Sequence, residues 1–403
     1  MTSSVRRLRL MLLCLLGLLA TVPLINWIVN PYGVWRIAVV DRVYRVTQPQ
    51  PFTNEAAERV TSAYRVRVEE PTTVLVGSSR VLLGMPIEPG GQDGFLNASL
   101  SGASLAEIAA VLRLATANPR LQRVIWGVDF YAFEEKFIGF RQPETRMRLE
   151  GDEGRLMLMR IKETLLSMQA LADSRRVLSR VIGGRDKLPL PVPVPWPEQV
   201  IKENLEDPAQ HGLDQADAEE LKRHLADWIF NYSDYQLSDT QLSLFRTAMA
   251  TLQQARIDVI LFVPPLSHCE LEVIEQAGQW DTFQRWKRQL VPTAPYWDFS
   301  GYEKLDRVDS FFVNVAHFKP AVGHVILRKL LGQGCEQCGK MAQIIGDAGV
   351  WADMATVDAY LTRQEEIRRA SRHRNDACTK MVEEMLRSRT ANVARPSAEA
   401  LGR

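Results

Sequence analysis

The chain has 403 residues, 46% hydrophobic and 24% charged, which is enough apolar content for a sizeable core and too much for a disordered chain. A formal net charge of +1 removes the electrostatic case for nucleic acid, whose binding asks for a clustered basic face. Five cysteines are too few for a disulfide scaffold.

From the N-terminus, Arg6, Arg7 and Arg9 precede an apolar run from Leu10 to Val29, with Trp27 and Tyr32 at its far end. In helical form the run spans a hydrocarbon core, the arginines favour a cytoplasmic N-terminus, and the aromatics suit the opposite interface. We therefore expect a membrane anchor over 1–33 and an extracytoplasmic body attached through that one helix. A cleaved signal peptide competes, because Leu10–Ala20 has the length of its apolar region; Leu18 is a poor residue for the third position before a cut, which favours the uncleaved anchor. Residues 34–69 carry no motif and read as a linker.

Thr72–Val76 is a β-branched and aliphatic run bounded by Pro71 and Gly77. It predicts a buried parallel strand that hands Ser78 and Ser79 to a turn before a helix. Open α/β sheets place ligands at the carboxyl ends of strands, next to N–H groups that stabilise an anion. A second strand over Phe95–Ala98 runs into a small-residue loop containing Gly102. Ser104 and Glu107 then form a capping box for a helix with Leu105, Ile108, Leu112 and Ala115 on one face. Arg123–Phe130 predicts a third strand, with Gly127 and Asp129 at its end.

Over 134–236 the pattern changes. Met147–Ile182 reads as helix, and Pro189 to Pro197 alternate with apolar residues as an extended polyproline strip. This segment is expected as an insertion that covers or borders the sheet. Strand and helix alternation resumes with a helix capped by Ser238, the strand Ile257–Val263, a helix capped by Ser267 just before His268, and the strand Pro295–Phe299. Asn314-x-x-His317 precedes a last helix with Pro320 in its first turn. The alternation predicts a three-layer α/β/α domain over 70–333 with a mostly parallel sheet. Residues 334–403 read as a helical tail, partly disordered toward Pro396. Cys335 and Cys338 are expected as a local bridge or two free thiols rather than half a zinc site, since no second ligand pair has suitable spacing; neither a metal nor a cofactor is expected.

Gly77-Ser78-Ser79 after the first strand, Asn97 to Gly102 after the second, Gly127 to Asp129 after the third and Asn314-x-x-His317 before the last helix resemble the blocks of the SGNH (GDSL-like) hydrolase superfamily. More narrowly, the chain looks like its membrane-anchored periplasmic branch, which includes alginate O-acetyltransferase-type proteins and the D-alanylation protein of lipoteichoic acid synthesis. The resemblance covers about 70–333 and implies an SGNH/flavodoxin-like sheet. It makes Ser79 the nucleophile, His317 the general base, Asn314 the group behind the base, and the amides of Ser79 and Gly102 oxyanion donors. A serine hydroxyl needs such a base, because it is a weak nucleophile until an imidazole accepts its proton.

Two positions depart from the family pattern. The third-block asparagine is absent, Asp129 being the nearest polar residue, and Asn314 stands where the family has aspartate; Asp309 and Asp298 are further acids for the place behind His317. Asp129 and His268 are candidate substrate contacts, while His211, His224, His324 and His373 are assigned to surface or packing. The implied activity is that of an esterase or O-acyltransferase acting on acyl, chiefly acetyl, esters of a cell-envelope polysaccharide from the inner (cytoplasmic) membrane, with the body periplasmic. A transferase implies a multi-span membrane acyltransferase as donor partner. The departures motivate a second-ranked alternative, an impaired SGNH-like protein that binds polysaccharide or scaffolds an envelope assembly.

Overall fold

The structure is a computed structural model that describes residues 17, 20–35, 55–87, 94–137, 153–182, 194–206, 218–302, 309–371 and 377–393. Its centre is a mixed sheet of β1 (Thr73–Val76), β2 (Phe95–Asn97), β3 (Arg123–Gly127), β4 (Asp258–Val263), β5 (Tyr296–Asp298) and β8 (Val350–Ala352), in the order β2-β1-β3-β4-β5-β8. The first five are mutually parallel and β8 joins β5 antiparallel. Val74, Leu75 and Val76 are fully buried, as a strand covered on both faces requires. Register is fixed at Thr73 opposite both Phe95 and Arg123, and at Arg123 opposite Asp258, where the two side chains form an ion pair of 2.7 Å. β6 (Phe312–Asn314) and β7 (His317–Phe318) form a separate antiparallel hairpin.

The helices described are α1 (Glu55–Glu69), α2 (Ser79–Gly84), α3 (Leu105–Thr116), α4 (Glu153–Thr164), α5 (Met168–Ile182), α6 (Glu198–Glu206), α7 (Ala218–Ser233), α8 (Asp239–Gln254), α9 (His268–Gln276), α10 (Trp280–Leu290), α11 (Pro320–Leu330), α12 (Gly339–Asp347), α13 (Val357–Ser371) and α14 (Ala377–Val393). Three begin at the expected caps: Ser104 and Glu107 form the full capping box of α3, and Ser238 and Ser267 cap α8 and α9; Ser78 caps α2. Because the five parallel strands point the same way, the loops holding Ser79, Gly102, Asp129 and Ser267 gather at one edge of the sheet. A bond of 3.0 Å from the Leu100 amide to the Gly77 carbonyl ties the first two of these loops together.

Three segments differ from expectation. Residues 34–69, read as a linker, supply α1, which packs on α3; its Arg59 is buried against Glu107, a partnership that local pattern does not reveal. The insertion enters the core through α7, whose Trp228, Ile229 and Tyr232 are buried, Tyr232 stacking on Phe130 at 5.8 Å. The tail after 333 completes the sheet with β8, and α14 is joined to α9 by a Cys269–Cys378 disulfide; Cys335 and Cys338 form a second, local one. Among the described residues no helix is long and apolar enough to cross a membrane. Of the expected anchor, 1–16 and 18–19 lie outside the described residues, as do 189–193 of the proline strip and 394–403 of the tail. Residues 20–29 are helical, and Asn26 near their end donates to the Leu165 carbonyl at 2.8 Å.

α11 lies so close on α2 that a Cβ at Gly323 would fall 1.8 Å from the Gly84 carbonyl oxygen. Gly323→Ala is therefore expected to destabilise the fold by about 1–3 kcal/mol, the range for an overpacked contact, measured as a lowered denaturation midpoint at unchanged m.

Candidate active site

Ser79 is the first residue of α2, set there by the turn after β1, with Ser78 Oγ accepting the Arg80 amide at 3.1 Å. The β6–β7 hairpin brings His317 to it, and α2 contacts β7 directly. Ser79 Oγ lies 2.9 Å from His317 Nε2, and His317 Nδ1 lies 2.9 Å from Asn314 Oδ1. Asn314 Oδ1 also accepts the backbone N–H groups of Ala316 and His317, each at 3.1 Å. Two fixed donors require the amide oxygen on that side, so Nδ1 carries the proton toward Asn314 and Nε2 is left to accept from the serine. Asn314 thus selects the tautomer that a serine nucleophile requires.

The hairpin is itself anchored. Ser267 Oγ donates to the Val315 carbonyl at 2.7 Å, and Arg80 Nε donates to the Ala316 carbonyl at 3.0 Å. Arg80 is buried and also pairs with Asp129 at 2.7 Å and, by a short contact, with Glu270. Tyr232 donates to Glu270 at 2.9 Å, and the rings of Tyr131 and Trp228 cover the guanidinium at 5.6 and 5.1 Å. Burial opposes the charge on Arg80, yet Glu270 and Asp129 together hold its pKa above the ordinary arginine value. Burial raises Glu270, with Arg80 working against it.

The neighbouring loop is clamped by α1. Glu58 accepts the Ser101 amide at 2.5 Å and its hydroxyl at 2.9 Å; Arg59 donates to the Ser101 carbonyl at 3.0 Å and to Glu107 at 2.6 Å. Burial raises the Glu58 carboxyl, and the bonds from Ser101 pull it back. The clamp leaves the next residue, Gly102, at φ +57°, a left-handed conformation glycine adopts freely. Among the described residues the Gly102 amide has no acceptor, and the Ser79 amide, as the first N–H of a helix, has no intrahelical one. Both N–H groups are therefore unclaimed by backbone acceptors among the described residues.

His317 is depressed to about pKa 4, first by burial, then by the charge of Arg80 and by His224. It is therefore neutral and able to accept a proton through the whole neutral range. Since the unfolded chain takes up that proton near 6.5, His317 draws stability down as pH falls from about 6.5 to about 4.

The structure brings Ser79, His317 and Asn314 into one relay. It gives Asp129 to Arg80, so this carboxylate serves the frame among the described residues. Asp298 pairs with Lys287 at 2.8 Å, leaving Asn314 behind the imidazole, and nothing is described of the Asp309 side chain. His268 sits at the first position of α9, 4.0 Å from Glu272 and edge-on to Tyr302, with no described contact to Ser79 or His317. His324 is a packing residue, fully buried and stacked on Trp196 at 4.2 Å. His211 and His373 lie outside the described residues. Sequence reading missed the Arg80 frame and the Glu58–Arg59 clamp. Cys335, Cys338 and Glu198 lie together, but the thiols are joined as a disulfide and Glu198 is bonded to Arg328 and the Gln337 amide. No protein-family model matches the chain, and no curated protein matches it.

The rate at which a fluorophosphonate labels Ser79 is expected to fall in acid with a midpoint near pH 4 instead of 6.5. Asn314→Asp, by placing a negative charge behind the ring, moves that limb upward. Glu58→Ala is expected to destabilise the fold by about 1–3 kcal/mol and to slow labelling, because Ser101 loses its buried acceptor, while the acid limb stays in place; chemical denaturation and the pH profile check the two halves.

Proposed function

We propose that the chain is an SGNH-type serine acyl-transfer enzyme, a hydrolase or O-acyltransferase that passes an acyl group through Ser79. The observation that carries this is the unbroken chain of contacts from Ser79 Oγ through His317 to Asn314, the Ser79 and Gly102 N–H groups being without backbone acceptors among the described residues. As Ser79 Oγ attacks an ester carbonyl, its proton moves to His317 Nε2. The carbonyl oxygen gains charge and is stabilised by the amides of Ser79 and Gly102, and the protonated imidazole then returns the proton to the leaving alcohol. Water or a second alcohol resolves the acyl-enzyme by the same steps in reverse. Asn314 fixes the tautomer but adds no charge, so imidazolium formation is supported less than by aspartate.

The strand order β2-β1-β3-β4-β5 supports the finer description as a three-layer, flavodoxin-like SGNH domain. The two disulfides support an oxidising compartment, in keeping with an inner-membrane anchor and a periplasmic body. In that setting the substrate we propose is an acylated, chiefly acetylated, cell-envelope polysaccharide, and for a transferase the donor is a multi-span membrane acyltransferase.

Fluorophosphonate labelling tests the reading. Ser79 is expected to be modified in the folded chain, Ser79→Ala to abolish the label, and His317→Ala to slow it by about 10²–10⁴-fold. A folded chain that takes no label points instead to an impaired binding or scaffolding protein.

A further inference from the structure

The apolar run from Leu10 to Val29 contains an asparagine, Asn26, which is fully buried against the insertion. Asn26 Nδ2 donates to the carbonyls of Leu165 and Ser167, at 2.8 and 3.2 Å, and its Oδ1 accepts from Ser174 Oγ at 3.0 Å. Both carbonyls belong to the short turn between α4 and α5. Farther from the turn, Arg160 on α4 donates to the Val34 carbonyl, and Asp173 on α5 accepts from the Tyr32 hydroxyl at 2.7 Å. The helix pair thus meets residues 32–34, past the end of the run, at its root and residue 26, within the run, at its tip. At helical rise the tip lies about 4.5 Å inside the run.

The turn is built for surroundings without water. Its Leu165 and Leu166 amides donate to the Ile161 carbonyl, Ser167 Oγ accepts the amides of Gln169 and Ala170, and Asn26 takes the two carbonyls. Irregular backbone is tolerated at membrane depth only where the protein itself satisfies its polar groups. The side chains the turn presents outward are apolar, Leu166 being 57% exposed and Met168 67%. On the adjoining helix Leu24, Trp27 and Ile28 are each about half exposed, so bare apolar surface lies on both elements. Lys162 and Arg175, both exposed, stand one to two helical turns back from the tip, where long cationic side chains reach headgroup phosphates.

We propose that the α4–α5 turn is a second membrane contact, with Leu166 and Met168 inserted among the acyl chains of the leaflet in which the apolar run ends and Lys162 and Arg175 on its phosphates. This rests on the membrane anchor of the proposed function. One helix alone is a pivot about which the body can swivel; the turn adds a second point and gives the body one orientation on the bilayer.

The full chain is reconstituted in vesicles of phosphatidylethanolamine and phosphatidylglycerol containing a phosphatidylcholine with a diazirine in its acyl chain. After illumination, lipid adducts are mapped on tryptic peptides. They are expected on 10–36, which holds the apolar run, and on 163–175, which holds the turn, but not on 224–246, although Phe230 there is 74% exposed. Leu166→Asp combined with Met168→Asp is expected to remove most of the adduct on 163–175 while 10–36 keeps its own. Labelling of 10–36 without 163–175 overturns the proposal and leaves the patch to a protein partner; labelling of 163–175 that survives both substitutions, or that 224–246 matches, overturns it as well. Absence of adducts on 10–36 overturns the anchor itself, and the place of the turn in the bilayer with it.

Discussion

The buried Arg80 guanidinium is the contact through which the rest of the site is held. One side chain from α2 reaches Asp129 after β3, Glu270 on α9 and the carbonyl of Ala316 beside His317. α7 closes over it with Trp228 and Tyr232. A buried ion cluster is not a cheap source of stability, since each charge loses its hydration. Removal of the cation, however, would strand two carboxylates in the core, at a cost of about 3–5 kcal/mol for a broken buried pair. The cluster's value is geometric: it ties the element bearing Ser79 to the hairpin bearing His317, although 238 residues separate the two.

With that frame in place, the imidazole has little room to adjust. An aspartate behind it would stabilise the charged ring; Asn314, occupied by two backbone N–H groups as well as Nδ1, orients it without charging its surroundings. The ring is left a weak but proton-free base at neutral pH. The acyl transfer proposed for this site would lean more on oxyanion stabilisation than on base strength. That is where α1 contributes: Glu58 and Arg59 occupy the polar groups of Ser101 and leave the Gly102 N–H unclaimed.

The strands were legible because their chemistry is local. Val74–Val76, Ile125–Trp126 and Leu261–Val263 are apolar runs that end in glycine or proline, and period and punctuation suffice to place them. Local pattern alone makes Ser79 a turn serine; Ser79 and His317 are singled out by the resemblance of four short blocks, taken together, to a known family pattern. The partners of Arg80 lie 49 and 190 residues away, and those of Arg59 and Glu58 lie 48 and 43 residues away; spacing carries no trace of them. Glu58 and Arg59 look like solvated charges on an unremarkable stretch until α1 docks. The Cys269–Cys378 pairing, 109 residues apart, was likewise invisible to a spacing argument, whereas the spacing of Cys335 and Cys338 left a local bridge and two free thiols open, of which the bridge is found.

The tail beyond residue 333 has a consequence for the sheet as a whole. β5 would otherwise end the sheet with a row of open backbone groups, the kind of border that recruits strands from other molecules. β8 occupies that border antiparallel, Trp351 lies edge-on to Trp297 at 5.4 Å, and the Cys269–Cys378 bond fastens the segment to the helix that carries Glu270. Truncation at the apparent end of the alternating pattern would therefore do two kinds of damage. It would bare an adhesive margin that invites self-association, and it would cut a covalent mooring whose far end, Cys269, is next in the chain to the Glu270 that pairs with Arg80.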